Sequence, residues 1–193
     1  MPRTSYYIIN GITIYRIVAS LILVFLIVTN RPEIFRWFLA VSFFTDAIDG
    51  FLARRFQVAS VLGAKLDSIG DDLTVLLGAI GLFVFKYEFI KEQSPWLILL
   101  LVLFIIQAGS ALLKYKTFTS FHTYLAKLAA VAQGCFLILA FFLKEPSLFL
   151  FYLAITLTAL DLIEETIIVY ILPRPAQNVK GLYWVMRQQK AEA

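Results

Sequence analysis

The sequence predicts an all-α integral membrane protein, a bundle of six transmembrane helices. Three observations carry that prediction. Of 193 residues, 61% are hydrophobic, Phe alone occurs 18 times, and mean hydropathy is +0.83, a balance foreign to soluble domains. A window of about 20 residues, the length of a bilayer-crossing helix, finds six apolar stretches at 12–29, 34–53, 67–86, 95–113, 123–143 and 147–172. Most of the breaks between them carry turn chemistry.

Taken in order, the first stretch stops at Thr29-Asn30-Arg31-Pro32. No small-x-small cleavage site follows it, so it reads as a span and not as a cleavable leader. The second runs into a short basic turn with Arg54 and Arg55, and the third follows from Asp67. The fourth is expected to start after a break at Glu92-Gln93-Ser94-Pro95. The fifth ends at Lys144-Glu145-Pro146-Ser147 and holds the single cysteine, Cys135; one cysteine excludes a disulfide framework and suits packing. The sixth ends before Pro173-Arg174-Pro175, and the tail from Val179 to Arg187 mixes aromatics with cations, as interfacial segments do. Connections are short, and there is no repeat or low-complexity segment. Residues 1–193 therefore read as a single membrane domain.

Charge sets the orientation. With the N-terminus inside, the inner segments hold nine cations (Arg3, Arg54, Arg55, Lys114, Lys116, Arg174, Lys180, Arg187, Lys190), and the outer loops hold five (Arg31, Arg36, Lys86, Lys91, Lys144). Arg16, Lys65 and Lys127 lie at inner ends of spans. The bias favours both termini in the cytoplasm. The net charge of +4 is then a topology signal and an attraction to the membrane surface, with no nucleic-acid partner implied.

Against this apolar background stand Asp46 and Asp49, three apart, and Asp67 and Asp71, four apart. On helices each spacing puts a pair on one face. An ionised carboxylate in a span costs several kcal/mol unless compensated. Four together, with few cations nearby, point to Mg²⁺ or Mn²⁺, as two ions that bridge carboxylates and substrate phosphates. Gly50 and Ala53 leave room for a nucleotide beside the helix, Arg54 offers a fork to phosphate, and one carboxylate at the edge of the cluster serves as general base. Structural ion pairs with Arg54, Arg55 and Lys65 are the weaker alternative. Asp72, about 100° round the helix from Asp71, suits a supporting or solvated role, and Gly63 and Gly70 suit close packing.

Written out, the segment is Asp46-x-x-Asp49-Gly50-x-x-Ala53-Arg54, eight residues, Gly63, three residues, Asp67, three residues, Asp71. It resembles the signature of the CDP-alcohol phosphotransferases (CDP-alcohol phosphatidyltransferases), integral membrane enzymes of phospholipid synthesis. Eight fixed positions over the 26 residues 46–71, about one seventh of the chain, make chance agreement negligible. The resemblance implies a CDP-diacylglycerol donor held through its diphosphate, attack of a small polar alcohol on the lipid-side phosphorus, and release of CMP. It implies Asp46, Asp49, Asp67 and Asp71 as metal ligands and Asp71 also as base. Gly50, Arg54 and Ser60 match donor-contacting positions, and Asn10-Gly11-Ile12-Thr13 with Arg16 resembles the family's nucleotide-contacting segment. The expected setting is a homodimer in a bacterial inner membrane, its site facing the cytoplasm.

The acceptor is read from fewer residues. Lys127 and Gln133 keep the ends of a Lys-x-Lys-Thr-x-x-Gln pattern associated with phosphatidylglycerophosphate synthases, while Ala129-Ala130 replace its inner pair. Lys65, His122 and Lys127 are the candidate acceptor contacts, and glycerol 3-phosphate is the first choice. Inositol phosphate or another alcohol is the alternative. A divalent-cation transporter is the remote one, since 73–86 is apolar beyond Thr74. A second acidic group, Asp161, Glu164 and Glu165, lies within the sixth stretch. Structural pairing, with Lys127 or Arg16 as partners, is favoured there over contact with an acceptor hydroxyl.

Overall fold

The computed structural model of the chain describes residues 18–56, 61–117, 121, 123–174 and 179–192, with side chains described outside 46–72 and 188–192. Regular structure among the described residues is entirely α-helical. The described part of the first helix, α1, is Val18–Val28. It is followed by α2 (Pro32–Phe56), α3 (Val61–Phe85), α4 (Tyr87–Tyr115), α5 (Tyr124–Phe142), α6 (Leu148–Ile171) and α7 (Leu182–Glu192).

The ends of these helices follow from local chemistry. Asn30 takes φ 53°, a left-handed turn that Asn tolerates. There Arg31 N–H donates to Leu26 O at 2.9 Å and Asn30 N–H to Ile27 O at 3.1 Å, the paired closure of a Schellman end. Pro32 then opens α2, where its missing N–H costs nothing. Ser147 caps α6 by accepting from Leu150 N. The expected break at Glu92–Pro95 does not occur: α4 runs through Pro95. The reason is local, because Ser94 Oγ donates to Lys91 O at 2.9 Å, the carbonyl that the imide nitrogen of Pro95 cannot serve. The turn falls instead at Lys86, between α3 and α4.

Two compact units emerge, one from the chain up to Ile90 together with Leu137–Glu145, the other from Lys91–Phe136 and the chain from Pro146. In the first unit α2 and α3 are in contact. Its centre is Phe35, fully buried, edge-on to Phe85 at 5.3 Å and to Phe141 at 5.0 Å. Gly81 makes that packing possible, since a Cβ there would lie 2.6 Å from Phe35 Cζ and 3.2 Å from Phe141 Cζ. Lys86 Nζ donates to Leu143 O at 3.2 Å and to Lys144 O at 2.8 Å, covering carbonyls at the end of α5.

In the second unit Ala111, Phe121, Ile168, Val169 and Val185 form the core. Lys114 Nζ donates to Val169 O and Tyr170 O, and Tyr115 OH to Val169 O and Leu172 O, so the C-terminal end of α6 is also closed by side chains.

Helices α4 and α5 are long and apolar enough to cross a membrane. On α4, Ile98, Leu101, Phe104 and Ile105 are each more than half exposed, and only 11% of its most apolar window is buried. A helix with so much uncovered apolar surface belongs in lipid.

Replacing Gly81 by Val forces a branched side chain into a ring cluster that has no free side. The expected outcome is a loss of about 1–3 kcal/mol, read as a lower thermal midpoint of the detergent-solubilised protein.

Candidate functional site

Positions 46, 49, 50, 53 and 54 fall on α2, and 65, 67 and 71 on α3. The acidic positions thus sit on two helices in contact, three apart on one backbone and four apart on the other, which is one-face spacing in each case. Their side chains lie outside those described. Asn10, Gly11, Ile12, Thr13, Arg16, Ser60 and His122 lie outside the described residues altogether. As a donor set, four carboxylates on two touching helices suit a hard divalent cation. Among the described residues, no group of three or more His, Cys, Asp or Glu is placed to hold a metal ion, Asp161, Glu164 and Glu165 included.

Lys127 stands in the first turns of α5, exposed, with its Nζ 5.5 Å from the centroid of the Tyr124 ring. Tyr124 in turn packs against Trp184 of α7, centroids 5.6 Å apart. The start of α5 is fixed by Thr123, fully buried. Its Oγ1 accepts from Ala126 N at 3.0 Å, the bond of an N-cap, and donates to Asp161 Oδ1 at 3.3 Å.

The acids of α6 act as a clasp. Glu165 is 7% exposed; its Oε1 accepts from Phe121 N at 3.2 Å and its Oε2 from Gln107 Nε2 at 2.9 Å. Glu164 Oε1 accepts from Leu182 N at 2.9 Å. Glu164 Oε2 is buried, with no hydrogen-bond partner among the described residues. Gly181, at φ +149°, brings the backbone against this carboxylate: a Cβ there would lie 3.1 Å from Glu164 Oε1. Three separate parts of the chain are therefore held by one helix: α4 through Gln107, the entry to α5 through Phe121 and Thr123, and the start of α7 through Leu182. These acids are engaged by neutral donors; of the two expected cationic partners, Lys127 contacts Tyr124 and no carboxylate among the described residues, and Arg16 lies outside those described. Gln133 is likewise used internally, donating to Thr158 Oγ1 at 2.7 Å.

The profile of the CDP-alcohol phosphatidyltransferases matches residues 6–163 of the chain. The chain belongs to that family of transferases. Over 66 residues it is 38% identical to a Saccharomyces cerevisiae protein named CDP-diacylglycerol–inositol 3-phosphatidyltransferase, a match covering 34% of this chain and 30% of the yeast protein. No solved structure matches the chain. The family match contains all four signature aspartates and Lys127, and it ends before Glu164, Glu165 and α7.

Substituting Ala for Glu165 strands a buried backbone N–H and a buried amide together. The expected loss is about 2–6 kcal/mol for two unsatisfied groups of about 1–3 each, with Gln in its place costing less than half as much. Thermal unfolding of both variants in the same detergent checks the order.

Proposed function

We propose that the chain makes phospholipid, transferring a phosphatidyl group from CDP-diacylglycerol to a phosphorylated polar alcohol, glycerol 3-phosphate, with release of CMP. The observation that carries this reading is the complete aspartate signature inside a family match of residues 6–163. Asp46, Asp49, Asp67 and Asp71 hold two Mg²⁺ or Mn²⁺ ions, which when bound neutralise the donor diphosphate. Gly50 and Ala53 leave space for the cytidine side of the donor, and Arg54, Ser60 and the Asn10–Thr13 segment hold its phosphates and nucleotide. Asp71 takes the proton of the acceptor hydroxyl as that oxygen bonds to the lipid-bearing phosphorus; the bond to the CMP oxygen breaks. Lys127, with Lys65 and His122, binds the acceptor phosphate.

The setting that fits is a six-span bundle in a bacterial inner membrane, both termini and the site cytoplasmic, associated as a homodimer. The spans and their orientation rest on the apolar stretches and the cation bias of the loops, while the homodimer and the bacterial membrane are carried over from the sequence expectation. A second reading keeps the same chemistry with inositol phosphate or another alcohol as acceptor, and the name of the yeast relative supports inositol as such an alcohol.

Asp46→Asn and Asp67→Asn should each lower metal-dependent CMP release by about a hundredfold or more, with the protein still folded by size-exclusion chromatography. Substantial release from either variant at saturating Mn²⁺ contradicts the ligand assignment.

Lys127→Ala should raise the KM for glycerol 3-phosphate about tenfold while changing the KM for CDP-diacylglycerol less than about twofold. Paired KM series on wild type and variant decide it. Preference of the wild type for uncharged inositol moves the second reading ahead.

A further inference from the structure

We propose that Thr123 and Asp161 are positioning residues for Lys127, so that a carboxylate of α6 sets the place of the acceptor-binding cation through a neutral hydroxyl. The inference rests on the acceptor reading of Lys127 given above. Its basis is how the first turn of α5 is built. Thr123 is 0% exposed, and its single hydroxyl works in two directions, accepting from Ala126 N at 3.0 Å and donating to Asp161 Oδ1 at 3.3 Å. The carbonyl of the same residue accepts from Lys127 N at 3.2 Å. Both polar ends of Thr123 thus fix the turn from which Lys127 projects.

The chain on either side is pinned as well. Phe121 gives its N–H to Glu165 and takes a bond from Val179 N at 3.0 Å, while Tyr124 N donates to Lys180 O at 3.2 Å. Tyr124 is therefore held at its backbone and, at its ring, by Trp184. The ammonium of Lys127 lies over that ring, a contact that orients a cation without neutralising it. A direct ion pair with Asp161 would place the cation too, but it would consume the charge a phosphate needs. Relaying the carboxylate through Thr123 leaves the charge available. An acid near the N-terminal end of α5 also suits the positive end of that helix's dipole.

The test compares KM values for glycerol 3-phosphate and CDP-diacylglycerol in the purified full-length enzyme. Thr123→Val keeps the shape and removes both hydroxyl bonds. It should raise the acceptor KM about fivefold and leave the donor KM within about twofold. Thr123→Ser, which keeps both bonds, should restore the wild-type value. In a Lys127→Ala background Thr123→Val should add nothing, because the residue acts through the lysine. A shift of both KM values together, or a Thr123→Val effect that persists without the lysine, overturns the inference. Should Thr123→Val not fold, the Asp161→Ala and Asp161→Asn pair makes the same comparison, with the Asn variant keeping an acceptor for the hydroxyl. If Lys127→Ala itself leaves the acceptor KM unchanged, the acceptor reading fails first and the inference falls with it.

Discussion

A polar group placed where water does not reach is costly unless its own chain satisfies it, and that cost organises the described part of this protein, with Glu164 Oε2 and Arg36 Nε the exceptions among the described side chains. Leaving a buried donor or acceptor unpaired costs about 1–3 kcal/mol, more for a charge. Hydrogen bonds between membrane helices return only about 0.6–2 kcal/mol. The asymmetry means such bonds do little as net glue but strongly exclude arrangements that break them. Glu165 is the clearest case, with both oxygens engaged at 7% exposure. Open helix ends are a related case: Lys86 at the end of α5 and Lys114 with Tyr115 at the end of α6 cover carbonyls that their own helices leave open. Ser94 does the same inside α4, for the carbonyl that Pro95 cannot serve.

Much of this was legible in the sequence, and what was not has a physical reason. Apolar stretches of bilayer length located α2 to α6, because periodic or continuous hydrophobicity is a local property. Capping at Asn30 and Ser147 was visible as turn chemistry for the same reason. Pro95 misled because a proline's effect depends on whether another donor reaches the carbonyl one turn back, and the serine hydroxyl that does so has many other uses. Gly81 gave no warning, since its role is set by two phenylalanines distant in the chain. The aspartate signature needed only spacing. The partners of the α6 acids did not follow from spacing at all: they come from residues 18, 38, 44 and 58 positions away. An acidic cluster in a span reads as ionic until its donors are known, and these donors are a hydroxyl, an amide and two backbone N–H groups.

The family match and the clasp divide the chain unevenly. Residues 6–163 carry the shared chemistry, so Asp161 lies within the matched region while Glu164 and Glu165 follow it. The two glutamates secure parts that no signature describes, the entry to α5 and the start of α7. Tyr183, Trp184 and Met186 of α7 are exposed while Val185 is buried, so one side of α7 rests against its own protein. The clasp therefore ties α7 to the same turn that presents Lys127.

That use of the acids bears on the choice of acceptor. A neutral polyol is recognised by oxygens and amides that are free to bond its hydroxyls. Here both oxygens of Glu165, and one each of Asp161 and Glu164, are engaged by the protein itself, and Gln133 is spent on Thr158. What the start of α5 offers outward is the ammonium of Lys127, placed over a tyrosine and met by no carboxylate among the described residues. An exposed ammonium with its charge intact suits an anionic group on the incoming alcohol. Under the proposed function this cation is what would meet the acceptor phosphate, while most oxygens of the α6 acids are already taken up within the protein.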